Sequence, residues 1–128
     1  MSKSISAIGN AAEVVSFALV ANASAGVLGS WQNTTGNTVL VLQRGIVVDS
    51  TSTGAATVDM GVASTVATND TLIDGQALNG LSAGAVVRTA GTNGGDVVRV
   101  PNGHYVTAFG SADTTGFAGN AYLLITEL

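Results

Sequence analysis

His104 is the only imidazole in this chain, and there is no cysteine. A multi-histidine or thiolate metal site is thereby excluded within one copy. A catalytic triad on His104 would need a nucleophile and a carboxylate placed around it. Instead His104 follows Pro101-Asn102-Gly103, a tight-turn sequence, where a surface residue at a strand end is expected. Asn69, Asp70 and Asp74 offer the oxygen ligands that calcium prefers. Their spacing lacks the alternating ligands and closing Glu of an EF-hand loop, and Asn-Asp and Asp-Gly are common turn pairs. The eight carboxylates are scattered, and Gly91-Thr92-Asn93-Gly94-Gly95 has no following Lys-Ser/Thr to make a phosphate loop. Three N-x-S/T triplets, at Asn22, Asn33 and Asn69, are what abundant Asn and Thr produce by chance. These residues are read as turn and surface chemistry: no enzyme, no metal and no cofactor is expected.

The segments around them read as strands. Residues 13–21 place Val15, Phe17 and Leu19 on one face and Val14, Ser16, Ala18 and Val20 on the other. Residues 26–32 form the next strand, ending near Trp31, and residues 33–37 form a turn. Residues 38–49 are the most hydrophobic stretch, expected at the centre, covered on both faces, with a bulge or bend at Gly45. In residues 55–63, Ala56, Val58, Met60 and Val62 point inward, while Thr57, Asp59 and Gly61 point outward. Turn pairs at 69–70 and 74–75 bracket a short apolar segment, and residues 76–85 are expected as loop or one helical turn. Further strands are expected at 85–89, 96–100, 104–110 and 120–127, with turns at 91–95 and 101–103 and a loop at 113–116. Seven to nine short strands without an amphipathic helix predict an all-β fold: an antiparallel β-sandwich, jelly-roll-like.

No linker or repeat divides the 128 residues, so the chain reads as an N-terminal arm, 1–12, and a β-sandwich domain, 13–128. The arm alternates weakly through Ile5, Ala7 and Ile8. Lys3 followed by an apolar run and small residues imitates a signal peptide, but Glu13 abuts the run, so a strand, turn and strand are expected there. The stretch 14–31 is interrupted by Asn22, Ser24, Gly26, Gly29 and Ser30, which speaks against a membrane span.

Only 9% of residues are charged, against about 25% in ordinary domains, while 46% are hydrophobic. A surface of Thr, Ser and Asn has little repulsion to hold copies apart, which favours self-association. The net charge is −4 and the four basic residues, Lys3, Arg44, Arg88 and Arg99, are dispersed, so neither nucleic acid nor an acidic membrane surface is an expected partner. Trp31, the only indole, either fills the core or anchors a contact. Together with Met1, Ser2, Lys3, Ile5 and Ile8 of the arm it makes the set of interface candidates.

Three segments resemble the small β-rich decoration, or cement, proteins on capsids of tailed bacteriophages: residues 54–63, Thr71-Leu72-Ile73-Asp74-Gly75, and Gly119-Asn120-Ala121-Tyr122-Leu123-Leu124-Ile125. The resemblance implies a virion protein, made in the host cytoplasm, that sits on the outer capsid surface as a homotrimer and bridges neighbouring major capsid proteins. A tail, fibre or head-spike component and a carbohydrate-binding β-sandwich module are the competing readings.

Overall fold

Nine strands and no helix occur in the computed structural model, which describes residues 12–88 and 97–128. They are β1 (Glu13–Val20), β2 (Gly26–Gln32), β3 (Val39–Ser50), β4 (Thr57–Ala63), β5 (Ile73–Ala77), β6 (Val86–Val87), β7 (Val98–Val100), β8 (Tyr105–Gly110) and β9 (Ala118–Glu127). Residues 1–11 of the arm, the last residue of the strand expected at 85–89, the turn expected at 91–95 and the first residue of the strand expected at 96–100 lie outside the described residues.

One sheet has the order β1-β9-β3-β6, with β7 also paired to β3, and the other has the order β2-β8-β4-β5. All strand pairs are antiparallel. The first strand pairs with the last, the second with the eighth, the third with the sixth and the fourth with the fifth. That is a long antiparallel hairpin wrapped over on itself, the jelly-roll form of a β-sandwich. Alternation supplies the core between the layers. Val39, Val41, Ile46, Leu123 and Ile125 come from one sheet and Val58, Met60, Val106 and Ala108 from the other, all buried. Each large aliphatic side chain buried in this way contributes roughly 1.5–3 kcal/mol.

β3 departs from the expected pattern. It is central and its inner row is buried, but on the outer face Leu40, Leu42 and Val47 are half-exposed and only Gly45 is buried. The bulges fall at Leu42 and Asp49, between Val41/Gln43 and Val48/Ser50, and not at Gly45. An extra residue shifts the side-chain phase, so Arg44 joins the inward row, opposite Leu123 and 2% exposed. Gly45 has another reason to be glycine: a Cβ there would lie 2.6 Å from Cε1 and Cζ of the Tyr122 ring, which rests across it.

On the second sheet, Asp74-Gly75 is not a turn but part of β5. Met60 pairs with Ile73 and Val58 with Gln76, so two β5 residues oppose Asp59. Gly75 takes φ 71°, as a glycine bulge requires, and its N–H donates to Asp59 Oδ1 at 2.7 Å. Residues 76–85 accordingly begin with the last two residues of β5 and hold no helical turn. Gly61, expected to face outward, is buried because Asn69 folds back over it, 2.5 Å from where a Cβ would stand.

The layers meet along β1 and β2. There a Cβ on Gly29 would fall 2.3 Å from the Ala18 carbonyl oxygen and 3.2 Å from Phe17 Cδ2. Backbone cannot yield as a flexible side-chain end can, so Gly29→Ala is expected to cost about 2 kcal/mol or more. Urea denaturation of the variant checks this through a lower midpoint at an unchanged slope.

Candidate functional site

The structure disperses the residues picked for chemistry. His104 closes the 101–104 turn: its N–H donates to the Pro101 carbonyl at 3.0 Å, its carbonyl accepts from Asn33 N–H at 2.9 Å, and Gly103 at the third position has φ 85°. Asp74 lies in the β5 bulge, while Asn69 and Asp70 lie in the connection that crosses β4. Among the described residues no group of three or more His, Asp and Glu could hold a metal ion. Met1, Ser2, Lys3, Ile5 and Ile8 fall outside the described residues. Trp31 takes an inward position opposite Val106, partly buried against the core.

The N-x-S/T triplets have a physical cause. In each, the Asn side-chain oxygen accepts the N–H two residues on: Asn22 from Ser24 at 3.3 Å, Asn33 from Thr35 at 3.1 Å and Asn69 from Thr71 at 3.0 Å. Asp113 does the same with Thr115 at 2.8 Å. These are Asx-turns, in which a side chain takes the place of a backbone turn bond.

Asn33 does more than shape a turn, and the sequence reading missed it. Fully buried, its Nδ2 donates to the carbonyls of Asn37 at 2.8 Å and Val100 at 2.9 Å, and its own carbonyl accepts from Gly103 N–H at 2.7 Å. It thus ties the β2–β3 connection to the β7–β8 turn. With both Nδ2 protons engaged, it has no capacity for a glycan in the folded chain. The opposite end is tied in the same way: Thr114, also buried, accepts from Asn22 N–H at 2.8 Å through its hydroxyl and donates its own N–H to Asn22 O at 2.8 Å.

Among the described residues, nothing lies over the outer face of the β1-β9-β3-β6 sheet beyond its own side chains. The outward row of β1 includes Val14 and Val20, each 66% exposed, and the adjacent β9 row includes Tyr122 and Leu124. Val14, Leu124 and Gln43 stand side by side across three strands, as do Ala18, Asn120, Val47 and the 55% exposed Val86 across four. Only two charged residues of these strands stand on this face, exposed Arg99 opposite Leu40 and exposed Asp49 at the far end of β3. Glu13 and Glu127 occupy inward-phase positions at strand ends. The outer face of the other sheet carries 40% exposed Val27 with Phe109 and Tyr105 beside Asp59, Ser30 and Gln32, and Asn69 covers its Gly61. Beneath that covering Thr107 is buried, with a hydroxyl that makes no hydrogen bond.

Compared with known protein families, characterised proteins and solved structures, the chain shows no significant match. The site must be read from its own geometry.

Two expectations follow. Asn33→Ala strands the Val100 carbonyl in the interior and frees the turn, and should lower stability by about 3 kcal/mol, read by chemical denaturation. At exposed Asp113, the Thr115 hydroxyl and then the Thr115 N–H hold the carboxyl below its ordinary value, against a small opposing effect of desolvation. A depressed folded-state value means stabilisation that is complete above the unfolded carboxyl pKa and lost as pH falls through the folded one. Asp113→Asn keeps an acceptor but not the charge, so its stability should fall less steeply than that of the parent on acidification, measured by denaturation from neutral pH into the acid range.

Proposed function

We propose that this chain is a structural virion protein of a tailed bacteriophage, docking on the outer surface of the capsid as a homo-oligomer and stabilising it by bridging major capsid proteins. The observation that carries the reading is the uncovered outer face of the β1-β9-β3-β6 sheet. Exposed valines, a tyrosine and a leucine lie on this sheet, with Arg99 and Asp49 at its ends and Arg88 beside β6. Interfaces between proteins are built in this way: apolar at the centre, enriched in Tyr and Arg, and poor in Lys and Glu. The resemblance of residues 54–63, 71–75 and 119–125 to capsid cement proteins supplies the kind of assembly. No catalytic step is assigned to the chain, and its work is to add buried contact area to a shell under load.

The test is cosedimentation with expanded capsids of the phage that encodes the chain. Saturable binding to the capsid exterior and a higher capsid melting temperature are expected. Leu124→Lys on the open face should weaken binding at least about tenfold while leaving the fold intact. Absence of capsid binding, or labelling of tails or spikes instead, would refute the capsid role.

A further inference from the structure

We propose that the Asn79-Gly80 pair is a site of spontaneous deamidation in the folded chain, where Asn79 converts to aspartate and isoaspartate with water as the only co-reactant. An asparagine before a glycine is the sequence most open to this reaction. The main-chain nitrogen of the next residue must reach the Asn side-chain carbon, and a glycine puts no Cβ in the way. The Gly80 nitrogen attacks Cγ of Asn79, and the new N–Cγ bond closes a five-membered imide. The bond from Cγ to Nδ2 breaks, and Nδ2 leaves as ammonia with the proton that the Gly80 nitrogen gives up. Water then opens the ring. Cleavage at Cγ leaves aspartate on an unchanged main chain, and cleavage at the main-chain carbonyl leaves isoaspartate, whose main chain runs through Cγ. Nothing is oxidised or reduced.

Two Asn-Gly pairs lie among the described residues, and the fold holds them differently; a third, Asn93-Gly94, lies outside those residues. Asn102-Gly103 is locked. Asn102 Oδ1 accepts the Gly36 N–H at 2.9 Å, Gly103 N–H donates to the Asn33 carbonyl at 2.7 Å, and the Gly103 carbonyl accepts from Gln32 Nε2 at 3.1 Å. Ring closure there requires the Asn102 side chain to swing and the Gly103 nitrogen to leave the fully buried Asn33. Asn79 and Gly80 are both exposed, and the Asn79 side-chain amide makes no hydrogen bond among the described residues. Gly80, at φ 78°, has nothing within 4 Å of where a Cβ would stand. The main chain is held at Asn79 by one parallel bridge to Ser52 and not by a ladder, a contact that opens before the sheets do. Just before the pair stands Leu78, 1% exposed, its N–H donating to the Ala56 carbonyl at 3.0 Å and its carbonyl accepting from Thr51 Oγ1 at 3.2 Å. Isoaspartate at position 79 therefore lengthens the main chain directly beyond a core anchor.

The test ages the full chain in mildly alkaline buffer at body temperature, folded and, in parallel, unfolded in guanidinium chloride. Trypsin then separates the three pairs, because cleavage after Arg44, Arg88 and Arg99 puts Asn79 in fragment 45–88, Asn93 in 89–99 and Asn102 in 100–128. Mass spectrometry reads the gain of one mass unit per event, and labelling by an isoaspartate methyltransferase reads the isomer. In the folded chain, fragment 45–88 should convert at a rate close to its rate in denaturant, with the change mapping to Asn79. Fragment 100–128 should convert at least about tenfold more slowly folded than unfolded. N79Q, whose ring would be one atom larger and closes far more slowly, should abolish the gain in 45–88 with an unchanged thermal melt. The isoaspartate form should melt below N79D, which carries the same charge on an unchanged main chain. Equal protection of the two fragments by the fold overturns the inference, as does a change in 45–88 that maps to Asn69 or survives N79Q.

Discussion

The ladder between β3 and β9 is the constraint on which the rest of the molecule depends. These are the two longest strands, and they lie at the centre of their sheet, β9 passing the order on to β1 and β3 to β6 and β7. Their inward residues, Val39, Val41, Ile46 and Val48 against Ala121, Leu123 and Ile125, form one wall of the core. The two strands are separated by most of the chain, so the loop-closure entropy of bringing them together must be met before their contacts form. The segment between them supplies β4, β5 and β8 of the second sheet, while its β6 and β7 return to β3. The jelly-roll order is the geometric consequence of wrapping one long hairpin around this ladder.

Two irregularities in the ladder decide what each face shows. The bulge at Leu42 turns Arg44 inward and leaves Gln43 outward, so a cation that would have stood on the open face is taken into the interior, where other groups engage it. The bulge at Asp49 ends the regular pairing and puts a carboxylate at the rim. Between them Gly45 lets the Tyr122 ring lie down on the sheet, an arrangement in which an aromatic residue covers a glycine on the neighbouring strand. The outer surface of this sheet therefore mixes Val, Leu and Tyr with Ser16, Gln43 and Asn120, and carries Arg99 and Asp49 at its ends and Arg88 beside Gly45. The outer surface of the other sheet carries its own covering, with Asn69 packed on Gly61 and Thr107 sealed below. Two layers with similar inner faces thus have different outer faces, one with Val14, Val20, Tyr122 and Leu124, the other with Val27, Tyr105 and Phe109 beside the Asn69 covering.

The ends of the sandwich are held by side-chain amides and hydroxyls where larger domains use packed loops. Asn33 binds three separate backbone segments at one end, and the Asn22–Thr114 pair closes the other. In a chain without disulfides, such bonds hold the loops where otherwise only entropy would act. The abundance of Asn, Thr and Ser is then a structural requirement of the turns as much as a feature of the surface.

Strand positions, the all-β class and the sandwich were legible in the sequence because they follow from local alternation and turn residues, which each segment carries on its own. Residues 26–32 were read as a strand to the residue, and β1, β8 and β9 lay within about two residues of their expected ends. The open face was half legible: Val14, Ser16, Ala18 and Val20 were placed together on one side of a strand, but period-two alternation cannot say which side meets the core and which is left bare. Gly45, Asp74 and Gly75 were misread for a common reason. A bulge is defined by what the neighbouring strand does, and no local pattern records its partner's register. Asn33 was read as an ordinary turn residue because its bonds to Val100 and Gly103 join positions far apart in the chain. The sequence by itself determined the all-β class and most of the strands. Only the tertiary structure decided which row of each strand is buried, which glycine lies under a ring, and that Arg99 and Asp49 stand at opposite ends of one uncovered face, because each of these depends on a pairing between distant strands.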